Sequence, residues 1–261
     1  MWTGHDKGEV SAGYDLTGDF LAGRLRQHMA AEDLRHIDQM VSGTDELDNG
    51  EFLVRTGELC TQSALLVNGF MFRSIERDDR RYIIGVNVPG DFVDLHGFAL
   101  NRLDHDIIAS GPVRLALVPH DRLRETVAER PGVARALWFA TLLDAAIHRK
   151  WILTLEHLDA PRRIAHIYAE LQTRLELIGR ANPHALRTPF TQTDVAAMCG
   201  VTPIHANRAI ARLREMGLAE LRRGDLFTDS WERLKAYCGF DASYLYGPGS
   251  LQVEDRTGAQ T

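Results

Sequence analysis

The stretch that most constrains what this chain can fold into covers residues 191–221, TQTDVAAMCGVTPIHANRAIARLREMGLAEL. Thr191 and Asp194 stand three residues apart, as in the capping box that begins many helices. Gly200 follows at a place where a tight turn needs a residue that tolerates positive φ. These signals predict a short helix that ends in a turn.

A second helix should begin directly after that turn. Thr202 is typical of a helix N-cap, and Pro203 of the first helical position, because proline has no N–H to leave unbonded there. Gly217 is typical of the residue that ends a helix. The sequence therefore predicts a helix-turn-helix whose second helix spans residues 203–216.

The predicted second helix divides into two faces at about 100° per residue. Ala206, Ile210 and Leu213 share the face that we assign to the core, and Asn207 turns towards that side. The opposite face holds Ile204, His205, Arg208 and Arg212. Such side chains near the beginning of a helix suit the major groove of DNA. The alternative is a helical pair that only packs and leaves a solvated charged face.

From about Leu16 to Tyr246 the chain resembles the Crp/Fnr family of bacterial transcription regulators, and residues 202–208 resemble a variant of that family's recognition helix. The family usually has Arg and Glu early in this helix, where this chain has Pro203 and Ile204, so the usual operator sequence does not carry over. Arg208 matches the family's later base-reading arginine. The resemblance implies an α+β protein with an N-terminal cyclic-nucleotide-binding-like jelly roll, a long dimerisation helix and a C-terminal winged helix-turn-helix.

The composition excludes a uniformly basic nucleic-acid binder, because the 261 residues carry a formal net charge of −6. Residues 159–230 nevertheless hold ten arginines and no lysine against eight acidic residues, which suits contact with DNA. Cys60, Cys199 and Cys238 are too far apart for a disulfide framework or a zinc ribbon, and we expect no metal or other cofactor. The polar N-terminus and the lack of about 18 consecutive apolar residues predict a cytoplasmic protein without a membrane partner.

The segment that we assign to a sensor domain, residues 16–130, follows a predicted disordered lead-in at residues 1–15. Apolar residues at helical spacing predict two short helices between residues 20 and 37. Glycines then recur at regular intervals and separate β-prone runs at 52–54, 63–67, 82–86, 106–108 and 113–118. Short strands with regular turns predict a sandwich or barrel. The resemblance adds family turns at Gly57, Gly69 and Gly90 and hence a jelly roll.

The ligand segment of the sensor domain departs from the cyclic-nucleotide sensors of the family. Those proteins use a Gly-Glu pair for the ribose and an Arg-Ser or Arg-Thr pair for the phosphate. Here the first pair is replaced near Asp94 and Leu95, and the arginine position falls near His105, followed by Asp106. An aspartate that faces a phosphate repels it. We therefore expect no binding of cyclic nucleotides and leave the effector open. His96 and His105 match ordinary histidines better than ligands of a metal or haem, and the sequence leaves open whether they bind anything.

Residues 131–158 have the apolar spacing of one long helix that must bury a stripe. The stripe could pack on the chain's own sandwich or on a second copy, and the family resemblance favours the second copy. We assign the contacts between the two copies of this dimerisation helix to Leu137, Ala140, Ile147, Trp151 and Leu158. We place the hinge between the domains just after them, where Asp159 and Pro161 begin the next helix.

The DNA-binding domain should span residues 159–246, followed by a disordered tail at 247–261. Residues 182–188 are predicted to form a loop before the helix-turn-helix. After Gly217, two short strands with Arg222 and Arg223 between them are typical of a basic wing that contacts phosphate, although a solvated turn is the alternative. The predicted contacts to DNA are Thr191, Thr202, Pro203, Ile204, His205, Asn207, Arg208, Arg212, Arg222 and Arg223.

These features predict a homodimeric transcription factor that binds a palindromic site on double-stranded DNA and works with RNA polymerase. No arrangement of a nucleophile and base, metal ligands or a phosphate loop indicates an enzyme. The alternative is a small-molecule sensor whose helix-turn-helix contacts proteins, and salt-sensitive binding to duplex DNA would separate the two.

Overall fold

The computed structural model describes residues 14–250, so residues 1–13 and 251–261 of the predicted lead-in and tail lie outside the described residues. Within the described range the α-helices are α1 (Ala31–Gln39), α2 (His96–Leu100), α3 (His120–Glu129), α4 (Pro131–His157), α5 (Ala160–Leu177), α6 (Gln192–Met198), α7 (Pro203–Glu215) and α8 (Trp231–Cys238). The strands are β1 (Gly43–Leu47), β2 (Phe52–Val54), β3 (Gln62–Arg77), β4 (Arg80–Asn87), β5 (Asp106–Pro119), β6 (Ala185–Leu186), β7 (Glu220–Arg222) and β8 (Asp225–Phe227). Short 3-10 helices occupy Arg26–His28 and Ala242–Leu245.

The first five strands form an antiparallel sheet in the order β1-β5-β3-β4, and β2 also pairs with β5. The long strands β3 and β5 pair from Gln62, opposite Pro119, to Ser74, opposite Asp106. Apolar side chains on the inside of this folded sheet, such as Leu66, are fully buried. The mixed α+β class that the sequence predicted is confirmed.

Two of the predicted turns are bends within continuous strands. Gly69 lies inside β3 and Gly111 inside β5, and both have positive φ, at 92° and 73°. The pairing register shifts between Leu66 and Phe70, so extra residues are taken up without a reversal of the chain. The predicted runs 106–108 and 113–118 are therefore one strand. Glycine can take a left-handed conformation both in a turn between strands and in a bend within one strand. The sequence alone therefore does not distinguish a bend from a turn.

The chain before the sheet contains one α-helix, α1, where the sequence predicted two. Residues 15–25 form successive turns instead, with Leu21 and Gly23 in left-handed conformations. Phe20 and Leu25 are nevertheless buried against α1, α3, α4 and the sheet. The apolar spacing thus marked the burial correctly, but left-handed residues prevent a continuous helix.

Helix α4 has the predicted bounds to within one residue, but the stripe assigned to a dimer contact largely faces the interior of its own chain. Leu137, Ile147 and Trp151 are buried within the protomer, and Ala140 and Leu158 are half-buried. The apolar side chains left exposed on α4 are instead Trp138, Leu142, Ile152, Leu153 and Leu155. Because α4 is apolar around most of its circumference, its sequence period did not decide which stripe faces inward. Within residues 14–250, none of the helices combines the length and apolar character that a membrane crossing requires.

Helices α5 to α8 and a three-stranded sheet, in the order β6-β8-β7, make up the C-terminal unit. Asp159 caps α5, as predicted, by accepting a hydrogen bond from the Arg162 amide. Strand β6 was expected to be part of a loop, and it forms because Ala185 and Leu186 pair with β8. The domain boundaries at 130, 158 and 246 stay predictions.

The burial of Trp151 yields a test of which face of α4 is internal. Trp151→Ala should lower the free energy of unfolding by about 3–5 kcal/mol, the usual loss for a large buried aromatic side chain. Trp151→Phe keeps an aromatic ring but loses part of the indole volume and the N–H that bonds Glu170, so it should cost less than the alanine variant, about 1–3 kcal/mol. Urea-induced unfolding at fixed protein concentration measures both. If neither substitution changed the free energy of unfolding, Trp151 would lie on the outer face of α4.

Candidate nucleic-acid interface

The helix-turn-helix forms where the sequence predicted it, with the predicted caps. Asp194 N donates to Thr191 Oγ1 over 3.2 Å, and Thr191 N donates to Asp194 Oδ2 over 2.8 Å, which completes the capping box of α6. Gly200 makes the turn with φ of 65°. Thr202 caps α7 by accepting a hydrogen bond from His205 N over 3.3 Å, and Pro203 is the first helical residue. The side chain of Thr191 is thus occupied by the cap.

The buried stripe of α7 differs by one residue from the predicted one. Ala206, Ala209 and Leu213 are buried, whereas Ile210 is only half-buried. Asn207, which the sequence placed towards the core, is therefore exposed. All six predicted contacts in α7 are exposed, and they are Pro203, Ile204, His205, Asn207, Arg208 and Arg212.

Two arginines on this surface differ in whether they form a salt bridge within the chain. Arg212 lies 3.5 Å from Glu215 in an exposed pair, which is a weak interaction. Arg208 has no salt bridge to any of the residues 14–250, and with His205 it borders a groove next to the beginning of α5 at Pro161. Its guanidinium is therefore available to a ligand outside the chain.

Thr202 and His205 form a small polar unit at the beginning of α7. Thr202 Oγ1 and His205 Nδ1 share a hydrogen bond of 2.9 Å, so the other ring nitrogen of His205 points away from this contact. Both residues are exposed. The free backbone N–H groups at this end of the helix and its dipole favour a nearby anion.

The wing is a hairpin of β7 and β8 closed by Arg223 and Gly224, which have φ of 53° and 91°. Two consecutive positive φ values are characteristic of the tight type I′ hairpin turn. The Gly224 carbonyl accepts hydrogen bonds from the Tyr168 hydroxyl (2.7 Å) and from Thr188 Oγ1 (2.8 Å), which fasten the wing to the helical core.

The arginines in and beside the wing differ in whether a carboxylate of the chain pairs with them. Arg222 is paired with Glu220 at 2.6 Å and also lies over the Phe227 ring. Arg223 is exposed at the tip and has no ionic partner within the described part of the chain. Arg187 lies over Phe227 too, 4.8 Å from the ring centroid, and bonds Asp225 at 2.7 Å. Sequence reasoning missed Arg187 because it lies in a segment that was expected to be a loop.

A second feature that the sequence did not indicate is a contact between the sandwich and the helix-turn-helix. Arg81, near the beginning of β4, is ion-paired with Asp194 of the α6 capping box. Its neighbour Arg80 donates to the Val201 carbonyl in the turn over 3.2 Å. These bonds hold the beginning of α6 and the turn against the chain's own sandwich.

The predicted ligand segment of the sandwich is engaged with its own chain. Asp106 does not face a ligand site, since its carboxylate accepts hydrogen bonds from Thr56 N (2.7 Å) and Thr56 Oγ1 (2.9 Å). His105, at the family's arginine position, bonds Asp104 at 2.7 Å and lies 3.4 Å from His96 between their Nε2 atoms. Burial lowers the pKa of both His96, to about 4, and His105, so both rings are neutral at pH 7. Within residues 14–250 no group of three or more His, Cys, Asp or Glu side chains is arranged to hold a metal.

Comparisons with known proteins agree with this arrangement. Residues 162–237 match a family model described as a Crp-like helix-turn-helix domain. A "Probable transcriptional activator" of Rhizobium leguminosarum bv. viciae is 25% identical over 144 residues, which are 55% of this chain and 59% of that protein, so the chain spans less than two thirds of that relative. The transcriptional activator protein Anr of Pseudomonas aeruginosa is 22% identical over 191 residues, which are 73% of this chain and 78% of that protein.

A solved structure extends the likeness to the fold of both units. FixK2 from Bradyrhizobium japonicum superposes with a TM-score of 0.67 at 21% identity, covering 74% of this chain and 96% of that one. The likeness therefore includes the antiparallel sheet and α4 as well as the helix-turn-helix. With its capped second helix and its hairpin wing, residues 162–237 form a Crp-like helix-turn-helix domain, and the chain has the fold of FixK2.

Proposed function

We propose that the protein acts as a homodimer that binds a palindromic site on double-stranded DNA, with α7 in the major groove and the wing on the backbone. The observation that carries the proposal is the exposed surface of α7, where Arg208 has no ionic partner within residues 14–250. A guanidinium can donate two hydrogen bonds to guanine O6 and N7, so Arg208 is the residue assigned to base recognition. Arg223 at the wing tip is assigned to phosphate.

The dimer would form through the exposed face of α4. Trp138, Leu142 and Ile152 are exposed to 67%, 52% and 68% of their surface, and with Ala145 and Arg149 they recur at alternating steps of four and three residues. This is the spacing of a coiled-coil seam, interrupted here by one charge. A 27-residue helix offers a seam of about 40 Å, long enough for a stable two-stranded contact.

A two-fold dimer of this kind fixes the form of the DNA site. The two recognition helices would lie about 34 Å apart, so half-sites should be centred roughly 10 base pairs from each other. RNA polymerase is the partner expected of such a regulator, the cytoplasm its place of action, and no enzymatic activity is assigned to it. The competing proposal, a helix-turn-helix that contacts proteins, predicts binding to duplex DNA that is weak and has no preferred sequence.

The sandwich is proposed to be a sensor that does not bind cyclic nucleotides. The support is the neutral His105 at the position of the family's phosphate-binding arginine. Asp106, which was expected to repel the phosphate, points instead to Thr56 and contributes nothing to this argument. A neutral imidazole supplies no charge to hold a cyclic phosphate.

The first test of DNA recognition concerns Arg208. Arg208→Ala should weaken binding to the selected site by about 1–3 kcal/mol and relax the preference at one base pair in each half-site. Arg214→Ala removes the same charge from the far end of α7 and is the matched control, which should keep the selected sequence. Selection from random duplexes by wild type and both variants measures this. An unchanged motif for Arg208→Ala would refute base recognition by Arg208.

A second test separates phosphate contact from base contact at Thr202. Because Thr202 caps α7 and lies at the helix beginning, Thr202→Ala should cost about 1 kcal/mol of stability and weaken binding to all duplexes by a similar factor. Thr202→Ser keeps the capping oxygen and should retain both properties. The measurements are thermal unfolding and binding to a cognate and a scrambled duplex. A change of preferred sequence in Thr202→Ala would contradict the assignment.

A third test concerns the dimer seam. The double variant Leu142→Asp and Ile152→Asp should be a folded monomer, because two carboxylates on each helix would face those of the partner. Arg124→Asp makes the same change of net charge on the exposed side of α3 and should leave the dimer intact. Light scattering gives the mass, and circular dichroism reports folding. A dimeric double variant would place the interface elsewhere.

A further inference from the structure

Two histidine side chains of the sandwich have ring nitrogens that lie next to each other. His96 is the first residue of α2 and His105 directly precedes β5, and their Nε2 atoms are 3.4 Å apart. The rings are tilted by 39° to each other, with centroids 5.2 Å apart, so they do not stack. The separation of the two nitrogens is longer than the roughly 2.7–3.2 Å of a well-formed N–H hydrogen bond. A hydrogen bond alone therefore explains this pair poorly.

The other ring nitrogen of His105 is already engaged. Its Nδ1 donates to the Asp104 carboxylate over 2.7 Å. Because an ionised carboxylate only accepts hydrogen bonds, this contact places the proton of the neutral ring on Nδ1 and leaves a lone pair on Nε2. A carboxylate or carbonyl on the far nitrogen is also the partner that orients most histidines that bind metal ions. The Nε2 lone pair of His105 is thus oriented and open to a ligand beside His96.

The backbone that carries the pair is fixed by the neighbouring segment of the chain. The Gly57 N–H donates to the Leu103 carbonyl, and the Cys60 N–H donates to the Asn101 carbonyl, each over 2.8 Å. Leu103 and Cys60 are both buried in the core of the sandwich. Both histidines are therefore held near each other before any ligand arrives, so that binding costs little conformational entropy.

The distance between the two nitrogens fits one coordination geometry. Zinc binds imidazole nitrogen at about 2.0–2.1 Å, and two such ligands at a tetrahedral angle are about 3.3–3.4 Å apart. Bonds of the same length at a right angle, as in a square-planar copper(II) site, would place the nitrogens only about 2.8–2.9 Å apart. The observed 3.4 Å therefore matches a tetrahedral ion between the rings.

The charges around the pair also suit a cation. Arg73 is the guanidinium that acts on both rings, and it is paired with Asp144 at 2.6 Å. The Asp104 carboxylate has no Lys or Arg partner within residues 14–250, so it leaves one excess negative charge beside the pair. A nearby negative charge attracts a divalent cation.

From these observations we propose that His96 and His105 bind a zinc ion through their Nε2 atoms. Within residues 14–250 no third His, Cys, Asp or Glu side chain completes a ligand set, so water from the adjacent cavity of about 550 Å³ takes the remaining positions. The site is weaker than a structural site with four protein ligands. Zinc there cross-links α2 to the beginning of β5 and stabilises the segment 96–105, whether or not the protein binds DNA.

The fold is needed to see this pair. The two histidines are nine residues apart, which is not a spacing that a metal motif uses, and the sequence accordingly favoured ordinary histidines. The turn through Asn101, which has φ of 62°, reverses the chain between them and brings the two rings together.

The test uses the untagged full chain, freed of metal with a chelator, and zinc chloride as the probe. One equivalent of zinc should bind saturably and shift the Nε2 nitrogen resonances of His96 and His105 at the same zinc concentration. Cobalt(II) should give the intense visible absorption of a tetrahedral complex. Zinc should also raise the thermal midpoint, by about 5–10 °C when free zinc is about one hundred times the dissociation constant.

Variants assign the ligands through competition for zinc with a chelating dye. His96→Gln and His105→Gln should each weaken zinc binding at least about tenfold, because each removes one of two protein ligands. Asp104→Asn removes the outer carboxylate, whose side chain is 90% exposed, and should weaken zinc binding by about tenfold with little effect on folding. His157→Gln removes an exposed histidine at the end of α4 and is the matched control, which should keep the wild-type affinity.

No saturable zinc binding by the wild type, or unchanged affinity in both glutamine variants, would overturn the proposal and leave the two rings as a hydrogen-bonded pair. Zinc that shifts the resonances of other histidines and leaves those of His96 and His105 in place would overturn it as well. If the glutamine variants fail to fold, the wild-type resonances and Asp104→Asn decide, because neither measurement removes a buried ring.

Discussion

The position of α5, and with it that of the helix-turn-helix, depends on the buried side chain of Arg174. It donates to the Val86 carbonyl over 2.9 Å and is ion-paired with Asp91 in the turn after β4. One helical turn earlier, Glu170 accepts hydrogen bonds from Trp151 of α4 and, over 2.6 Å, from the hydroxyl of Tyr244. A buried ion pair adds little net stability, but removal of either partner is costly. The sandwich, α4, α5 and the C-terminal turn must therefore meet in one arrangement to satisfy this network.

A second attachment acts at the other end of the DNA-binding unit. Arg81 reaches Asp194, which also caps α6, so one carboxylate both begins the helix and holds it to the sandwich. The two attachments restrain the unit at α5 and at α6, on either side of the core that carries α7. A change in the orientation of α7 relative to the sandwich would therefore require both attachments to break or rearrange. Rigid-body motions of this kind set the distance between two recognition helices in a dimer.

The sequence was most informative where local hydrogen bonding decides the structure. The caps at Thr191 and Thr202 and the turn at Gly200 are local, and all three were predicted correctly. The faces of α4 and α7 were less predictable, because apolar residues that are one position apart differ by about 100° and only tertiary packing selects between them. Trp151 was assigned to a partner for this reason, although it bonds Glu170 in its own chain. Contacts between the two units, such as that of Arg81, have no signal in a single sequence.

The segment from 94 to 106 shows how a fold can be kept while the polar groups of one segment are bonded within the chain itself. Asp94 is buried and accepts a hydrogen bond from the Ala64 amide over 2.7 Å, and burial raises the pKa of its carboxyl to about 7. Asp106 is bonded to Thr56, and His105 carries no charge. Each of these three side chains has an intramolecular partner, and Arg102, the arginine of the segment, donates to the Gly57 carbonyl. A polar group whose hydrogen bonds are already made within the chain gains little from a phosphate ligand, and this is the physical basis for the proposal that the segment does not hold a cyclic phosphate.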